Sequence, residues 1–382
     1  MPISSPLRVL VVDDTAVYRK IVADVIAGIS GAEVVGSAHN GRAALMKIAS
    51  LRPDLVTLDI EMPDMNGIDV LQELKQKHTD VGVIMLSSLT HEGGEMTMRA
   101  LELGAFDFVP KPQGRSMAEN TAAVKNALAP MLAAFRRQRQ IARRLARGKN
   151  SAPFVRAQKR PAAAGRLAAV RPTMKRSSSA IVAIGISTGG PNALARMMPQ
   201  LPAKMGVPLL IVQHMPPVFT ASLAKSLNAK CAIRVKEAEN GEPLLPDTAY
   251  IAPGGRQMKV AASADGIRRM IRVTDDPPEN SCRPSADYLF RSVAHHYVGR
   301  ATGVIMTGMG ADGLLGLKLM KRNGAVVIAQ DAASCVVYGM PKGPVECGIV
   351  DVVAPLGRIA AEIVKTVKPS FPKSGDRMQS VG

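Results

Sequence analysis

Apolar runs alternate along this chain with stretches whose apolar positions recur at helical spacing. Leu7–Val12, Asp54–Leu58, Val81–Leu86 and Phe106–Val109 are short and almost wholly apolar, the pattern of strands buried on both faces. Helical patterns over Ala16–Ala27, Gly41–Ser50, Ile68–Lys77 and Glu95–Leu103 separate them. Alternating βα units of this kind predict an α/β domain with a parallel, doubly wound sheet. The rhythm resumes at Ile181–Ile184, Leu209–Gln213 and Ala301–Met306, the last followed by a helical pattern from Leu314 to Arg322. A second α/β sheet is expected there. Between Ile233 and Asp275 the alternation lapses, and Asn240-Gly241 and Pro253-Gly254-Gly255 mark turns. A β-hairpin insertion is the expected reading.

A chain of 382 residues accommodates two domains and a connector. The expected division is 1–125 for the first domain, 126–178 for a linker, 179–368 for the second domain, and 369–382 for a disordered tail. The net charge of +18 suggests a polyanion partner until its distribution is considered. From Pro130 to Ser178 there are 14 Lys or Arg and no Asp or Glu, so the excess belongs mostly to the linker. That segment reads as helix from Met131 to Arg147, continuing past Pro130, then as low-complexity Ala/Pro/Arg/Lys/Ser coil. A solvated tether is the plain reading; attraction to anionic lipid or acidic partners is the alternative. Nonspecific nucleic-acid binding is less expected than that attraction, because aromatic residues are almost absent among these cations, and no specific nucleic-acid partner is expected. Cys231, Cys282, Cys335 and Cys347 show no zinc spacing and read as free thiols of a reducing compartment. No signal peptide precedes Leu7 and no apolar stretch is long enough to span a bilayer, so a cytoplasmic protein is expected.

Candidate chemistry lies at the strand ends. Gly185-Ile-Ser187-Thr-Gly189-Gly190, then Pro191, reads as strand, tight turn and helix, the pattern of a nucleophile elbow. Alone, it is equally a phosphate cradle or a tight loop. His214 ends the run Leu209–Gln213 and is followed by Met215-Pro-Pro; Asp312 precedes a helix, where an N-cap is the default. All three are expected at the same edge of one sheet, where serine, histidine and aspartate suggest a hydrolytic triad. Their chain order differs from that of α/β-hydrolases. In the first domain, Asp13, Asp14 and Asp59 fall at adjacent strand ends, where their repulsion is costly without a divalent cation. Oxygen ligands with no nearby Cys or His favour Mg²⁺. Ser87 and Lys111 add a hydroxyl and an ammonium for an anion beside the metal, which suits phosphoryl transfer to a carboxylate.

The first domain resembles the flavodoxin-like receiver of two-component response regulators. The resemblance implies that Asp59 is the phosphoacceptor and that Asp13, Asp14, Asp59 and the Glu61 backbone carbonyl organise Mg²⁺. It further implies that Ser87 and Lys111 contact the phosphoryl group and that Phe108 is the aromatic that repositions; a plain core aromatic is the other reading of Phe108. A receiver followed by GISTGG, VQHMPP and TGMGADG resembles the CheB family of chemotaxis protein-glutamate methylesterases and protein-glutamine glutaminases. Phe219-Thr-Ala-Ser, Tyr250-Ile-Ala-Pro-Gly-Gly, Arg283-Pro-Ser-Ala-Asp and Tyr338-Gly-Met-Pro-Lys extend the match. It implies a Rossmann-like methylesterase domain, with Ser187 as nucleophile, His214 as base and Asp312 orienting His214. Thr188, Gly189, Gly190 and Met309 would line the oxyanion region, and no cofactor is implied in this domain. The implied substrates are glutamate methyl esters, releasing methanol, and glutamines on chemoreceptor signalling helices, reached at the membrane periphery through the receptors. The implied phosphodonor is the chemotaxis histidine kinase, relieving a receiver that covers the cleft. Two positions depart from the family pattern, Gln257 and Cys282, where histidine is common; the expectation is that they affect receptor contact and leave the chemistry alone. A DNA-binding response regulator and a non-catalytic adaptor are the rival readings, to be separated by gel shift and by ester-hydrolysis kinetics.

Overall fold

The computed structural model describes residues 5–77, 80–148 and 178–367; the linker coil expected beyond 148 and the tail expected at 369–382 lie outside the described residues. The first sheet is built from β1 (Leu7–Val12), β2 (Ala32–Ala38), β3 (Leu55–Asp59), β4 (Gly82–Ser87) and β5 (Asp107–Pro110). Helices α1 (Ala16–Ala27), α2 (Gly41–Leu51), α3 (Gly67–Lys77), α4 (His91–Glu102) and α5 (Met117–Gly148) alternate with them. The strand order is β2-β1-β3-β4-β5 and every pairing is parallel. That order is the flavodoxin-like one, with its functional edge at the carboxyl ends of the strands. No apolar run marks β2, because Glu33, Gly36 and Ser37 interrupt it; it is a half-buried edge strand. Helix α4 begins four residues earlier than the periodicity suggests, since the Thr90 hydroxyl accepts from Gly93 N–H at 2.9 Å and caps it. Helix α5 is continuous through Pro130. A proline inside a helix costs about 3 kcal/mol, opposed here by burial of Val124, Leu128, Leu132 and Phe135 against the sheet.

The second sheet contains β6 (Ile181–Ile186), β7 (Leu209–Gln213), β8 (Arg234–Glu237), β9 (Thr248–Ile251), β12 (Ala301–Ile305), β13 (Val326–Gln330) and β14 (Val352–Ala354). Between β9 and β12 come the hairpin strands β10 (Gln257–Ala262) and β11 (Arg269–Thr274), the expected insertion. The helices are α6 (Gly190–Met197), α7 (Phe219–Asn228), α8 (Ala286–His296), α9 (Leu314–Arg322), α10 (Lys342–Glu346) and α11 (Leu356–Val367). All seven strands run parallel in the order β14-β13-β12-β6-β7-β9-β8. The chain enters at β6, winds outward through β7, then returns to the other side of β6 with β12. The crevice at such a reversal is where open α/β sheets collect ligands.

The two halves share a seam. Met98, Leu101 and Phe108 from the first sheet's side join Leu194, Phe219 and Leu223 from the second in one buried apolar cluster. The Phe108 and Phe219 rings lie 4.7 Å apart at 35°. Helix α4 approaches α7 closely at Gly94, where a Cβ atom would stand 2.7 Å from the Ser222 hydroxyl. Lys225–Glu95 at 2.7 Å and Lys230–Glu102 at 2.5 Å flank the apolar contact. Such exposed pairs contribute little beside it.

Candidate active site

The Ser187 turn follows β6 because the chain must reverse sharply there. Gly189 has φ of +72°, which a side chain would strain. A Cβ on Gly190 would come within 1.9 Å of the Gln213 carboxamide. Three groups clamp the turn: Ser187 N–H donates to Thr307 O at 2.9 Å, the Thr307 hydroxyl donates to Thr188 O at 2.9 Å, and Gln213 Nε2 donates to Ser187 O at 3.0 Å. His214 follows β7, and Asp312 lies in the loop after β12. These strands flank β6, so the three expected residues stand at neighbouring strand ends.

His214 and Asp312 touch directly, with 2.8 Å between Nε2 and Oδ2. Asp312 does not cap the helix that follows it; Gly313 takes that position. Its carboxylate instead receives Ala286 N–H at 2.6 Å and Asp287 N–H at 3.1 Å from the start of α8. The Ser285 hydroxyl at 2.7 Å and Asn280 Nδ2 at 3.0 Å complete the set. Burial alone would raise the Asp312 carboxyl, but His214 and these donors overcome it and hold it at about 2. The same pairing works in reverse on His214. Burial disfavours its protonation, yet Asp312 and then Cys282 raise it to about 9. The other ring nitrogen, Nδ1, faces Cys282 Sγ at 3.6 Å. Among the described residues, the Ser187 hydroxyl makes no hydrogen bond to either ring nitrogen.

Cys282 and Gln257, expected to affect receptor contact and leave the chemistry alone, both lie within the site. Cys282 lies against His214. Gln257 is fully buried; its Oε1 accepts from Ser285 N–H at 2.8 Å, and its Nε2 donates to Pro277 O at 3.1 Å. It thus anchors the loop that carries Asn280, Cys282 and Ser285. None of these four was singled out from the sequence as bearing on the chemistry; the quoted run Arg283-Pro-Ser-Ala-Asp was the signal nearest to them.

Of the residues expected around the oxyanion, Gly190 N–H donates to Ser187 O at 2.7 Å, and Met309 is half exposed in the loop after β12. Gly189 N–H is bound from across the seam, donating to Asp107 Oδ2 of β5 at 3.0 Å. Asp107 is buried, and its other oxygen accepts from Phe108 N–H at 2.9 Å. Burial pushes its carboxyl up to about 6 despite the two donors. Asn192 Nδ2 reaches back to Ala105 O at 2.9 Å. A cavity of about 280 Å³ lies on the far side of this turn, lined by Arg137 of α5, Gly189, Arg196 and Tyr338; Ser187, His214 and Asp312 do not line it.

In the first sheet, ligand atoms of Asp13, Asp14 and Asp59 lie within 4.8 Å of one another. Lys111 Nζ stands 3.0 Å from Asp13 Oδ2 and 2.7 Å from Asp59 Oδ2, but neither buried oxygen accepts a directed hydrogen bond. The contact is therefore ionic, and oxygens so placed fit a hard cation such as Mg²⁺. Burial raises the Asp59 carboxyl to about 6; Lys111 lowers it and Asp13 raises it. Glu61 N–H points to Asp59 Oδ1 at 3.3 Å, and the Glu61 side chain is taken by the Ser88 hydroxyl. Ser87 is turned away from Asp59: its hydroxyl accepts from Thr97 at 2.7 Å and donates to Gly93 O at 3.2 Å, both in α4. Phe108 is buried against Phe219, as both readings of it allow.

The receiver domain family of response regulators matches residues 9–122, and the CheB methylesterase family matches residues 182–363. A protein-glutamate methylesterase/protein-glutamine glutaminase of Desulfotalea psychrophila is 57% identical over 362 residues, 95% of this chain and 99% of that protein. The Bacillus subtilis protein of the same name is 43% identical over 363 residues, 95% and 99% of the two chains. Among solved structures, the Thermotoga maritima CheB methylesterase catalytic domain is 40% identical, with a TM-score of 0.48 over 50% of this chain and 99% of that one. On the strength of relatives matched along nearly their whole length, the chain belongs to the CheB family of protein-glutamate methylesterases/protein-glutamine glutaminases.

Proposed function

We propose that the protein is a phosphorylation-activated hydrolase acting on chemoreceptor signalling helices, where it demethylates glutamate methyl esters and deamidates glutamines through Ser187, His214 and Asp312. The observation that carries this reading is the His214–Asp312 pair, fixed at 2.8 Å at strand ends that flank the Ser187 turn. Asp312 takes Nε2, so the lone pair of neutral His214 lies on Nδ1. Ser187 Oγ attacks the side-chain carbonyl of the substrate while its proton passes to that nitrogen. Asp312, kept ionised by its donors, stabilises the imidazolium. His214 returns the proton to the leaving methanol or ammonia, and water, deprotonated by the same ring, hydrolyses the acyl-enzyme. N–H groups around Thr188, Gly189 and Met309 are suited to the tetrahedral oxyanion.

The seam supports the regulatory half. Asp107 places a carboxylate oxygen on Gly189 N–H, beside the proposed nucleophile, so a receiver in this position withholds that donor. Asp59 would accept the phosphoryl group from the chemotaxis histidine kinase, its oxygen bonding phosphorus as the kinase's histidine nitrogen leaves. Asp13, Asp14 and Asp59 would hold Mg²⁺, which supplies charge neutralisation there. Ser87 and Lys111 would turn to the new phosphoryl oxygens. Ser87 must then release Thr97 and Gly93, loosening α4 from α7, while Phe108 and the adjoining Asp107 withdraw.

The test is methanol release from methylated receptor membranes, with and without acetyl phosphate and Mg²⁺. Ser187→Ala should lower the rate by on the order of 10³- to 10⁶-fold. Asp59→Ala should keep the basal rate and lose the stimulation. No release from cognate receptors by folded, phosphorylated protein would favour the adaptor reading.

A further inference from the structure

Cys282 and His214 are spaced as two ligands of one metal ion. Zinc binds thiolate at about 2.3 Å and imidazole nitrogen at about 2.0–2.1 Å in tetrahedral geometry, so the two donors stand roughly 3.5–3.6 Å apart. Cys282 Sγ and His214 Nδ1 are 3.6 Å apart. The histidine also carries the outer partner that zinc-bound histidines usually have. Its other nitrogen meets a carboxylate, Asp312 Oδ2, at 2.8 Å. Asp312 is itself fixed by Asn280, Ser285, Ala286 and Asp287. Nε2–H donated to Asp312 leaves the Nδ1 lone pair directed at the thiol.

The sulfur is held in place by its own loop. Cys282 N–H donates to Glu279 O at 2.8 Å, and Glu279 N–H donates to Cys282 O at 3.1 Å. Both His214 and Cys282 are partly exposed, so an ion can reach them and water can complete its coordination. Sulfur and nitrogen donors select a thiophilic cation and discriminate against Mg²⁺. The sequence shows no zinc pattern here because the two residues come from loops 68 positions apart.

We propose that Cys282 Sγ and His214 Nδ1 form a site for a thiophilic divalent cation, Zn²⁺ or a close analogue, with Asp312 supporting His214 from behind. Binding releases the thiol proton as the sulfur–metal bond forms. The ion occupies the nitrogen lone pair that Ser187 needs, so it reversibly silences the hydrolase. Binding stands independently of the proposed function; only the silencing rests on it.

Co²⁺ added to the full-length protein gives the test. Wild type should develop a sulfur-to-cobalt charge-transfer band in the near ultraviolet. Cys282→Ser should lack it, although Cys231, Cys335 and Cys347 remain. Cys282→His restores a nitrogen ligand, so it should bind the metal without the band. In parallel, Zn²⁺ should suppress methanol release by wild type, with recovery on chelation followed by Mg²⁺ replenishment. Half-suppression of Cys282→Ser, relative to its own metal-free rate, should need more Zn²⁺ by at least the roughly tenfold that losing even an outer partner costs. No band in wild type, or an undiminished band in Cys282→Ser, overturns the site. A metal-free wild type that releases no methanol instead overturns the function proposed above, and the band still decides the metal site.

Discussion

At His214 the two ring nitrogens face different partners, and Asp312 on Nε2 favours the protonated ring. A general base must be neutral to accept a proton. With the ring raised to about 9, the competent form is scarce at neutral pH and accumulates as pH rises. Methanol release per unit of free enzyme by residues 179–382 should therefore climb from pH 7 toward about 9; a plateau already reached near an ordinary histidine value of about 6.5 would contradict this. Asp312 depends on its donors in the same local way. Ser285→Ala removes one hydrogen bond to a charge, a loss of about 2 kcal/mol. The turnover rate should fall roughly thirtyfold with KM little changed, as measured by steady-state kinetics. The candidates Ser187, His214 and Asp312 could be picked out from sequence because the first two directly follow apolar strands and the third closes the glycine loop after one. Ser285, Asn280 and Gln257 could not, because their importance lies in which carboxylate or loop they reach across the fold.

Helix α4 links the two sites. On one side Thr97 and Gly93 hold Ser87; on another Gly94 lets α7 approach. Replacing Gly94 by leucine puts a side chain where Ser222 and Val218 already stand, and it removes a helix-destabilising glycine. Gly94→Leu should keep the receiver folded, push α7 away and raise methanol release without a phosphodonor. Circular dichroism together with that basal rate checks both halves; a folded variant with unchanged basal rate would separate α4 packing from control. The seam was only partly readable beforehand. A receiver that covers the cleft was expected, but Asp107 looks like an unremarkable strand position. Its charge makes sense only once Gly189 is seen opposite.

The whole molecule sets a hydrolytic site and a receiver against each other through one apolar seam. If that seam restrains the enzyme, residues 179–382 should release methanol without phosphodonor and faster than the unphosphorylated full chain. The ratio should also depend on pH. Asp107 sits near 6 in the closed arrangement against an ordinary 3.8. Opening therefore releases a proton below about pH 6, and acid favours closure. The rate of the full chain relative to the fragment should fall between pH 6.5 and 5; a constant ratio would remove Asp107 from the restraint. Two domains and their order were legible because each repeats the βα rhythm. Their mutual placement was not, since it depends on side chains such as Phe108 and Phe219 meeting across a long separation in sequence. That meeting has a consequence for signalling. A seam held by noncovalent contacts alone is an equilibrium, and every 1.4 kcal/mol of closing energy changes the open fraction only tenfold. Under the proposed function the resting enzyme is never fully silent: it leaks, and that leak sets the floor below which receptor demethylation cannot fall.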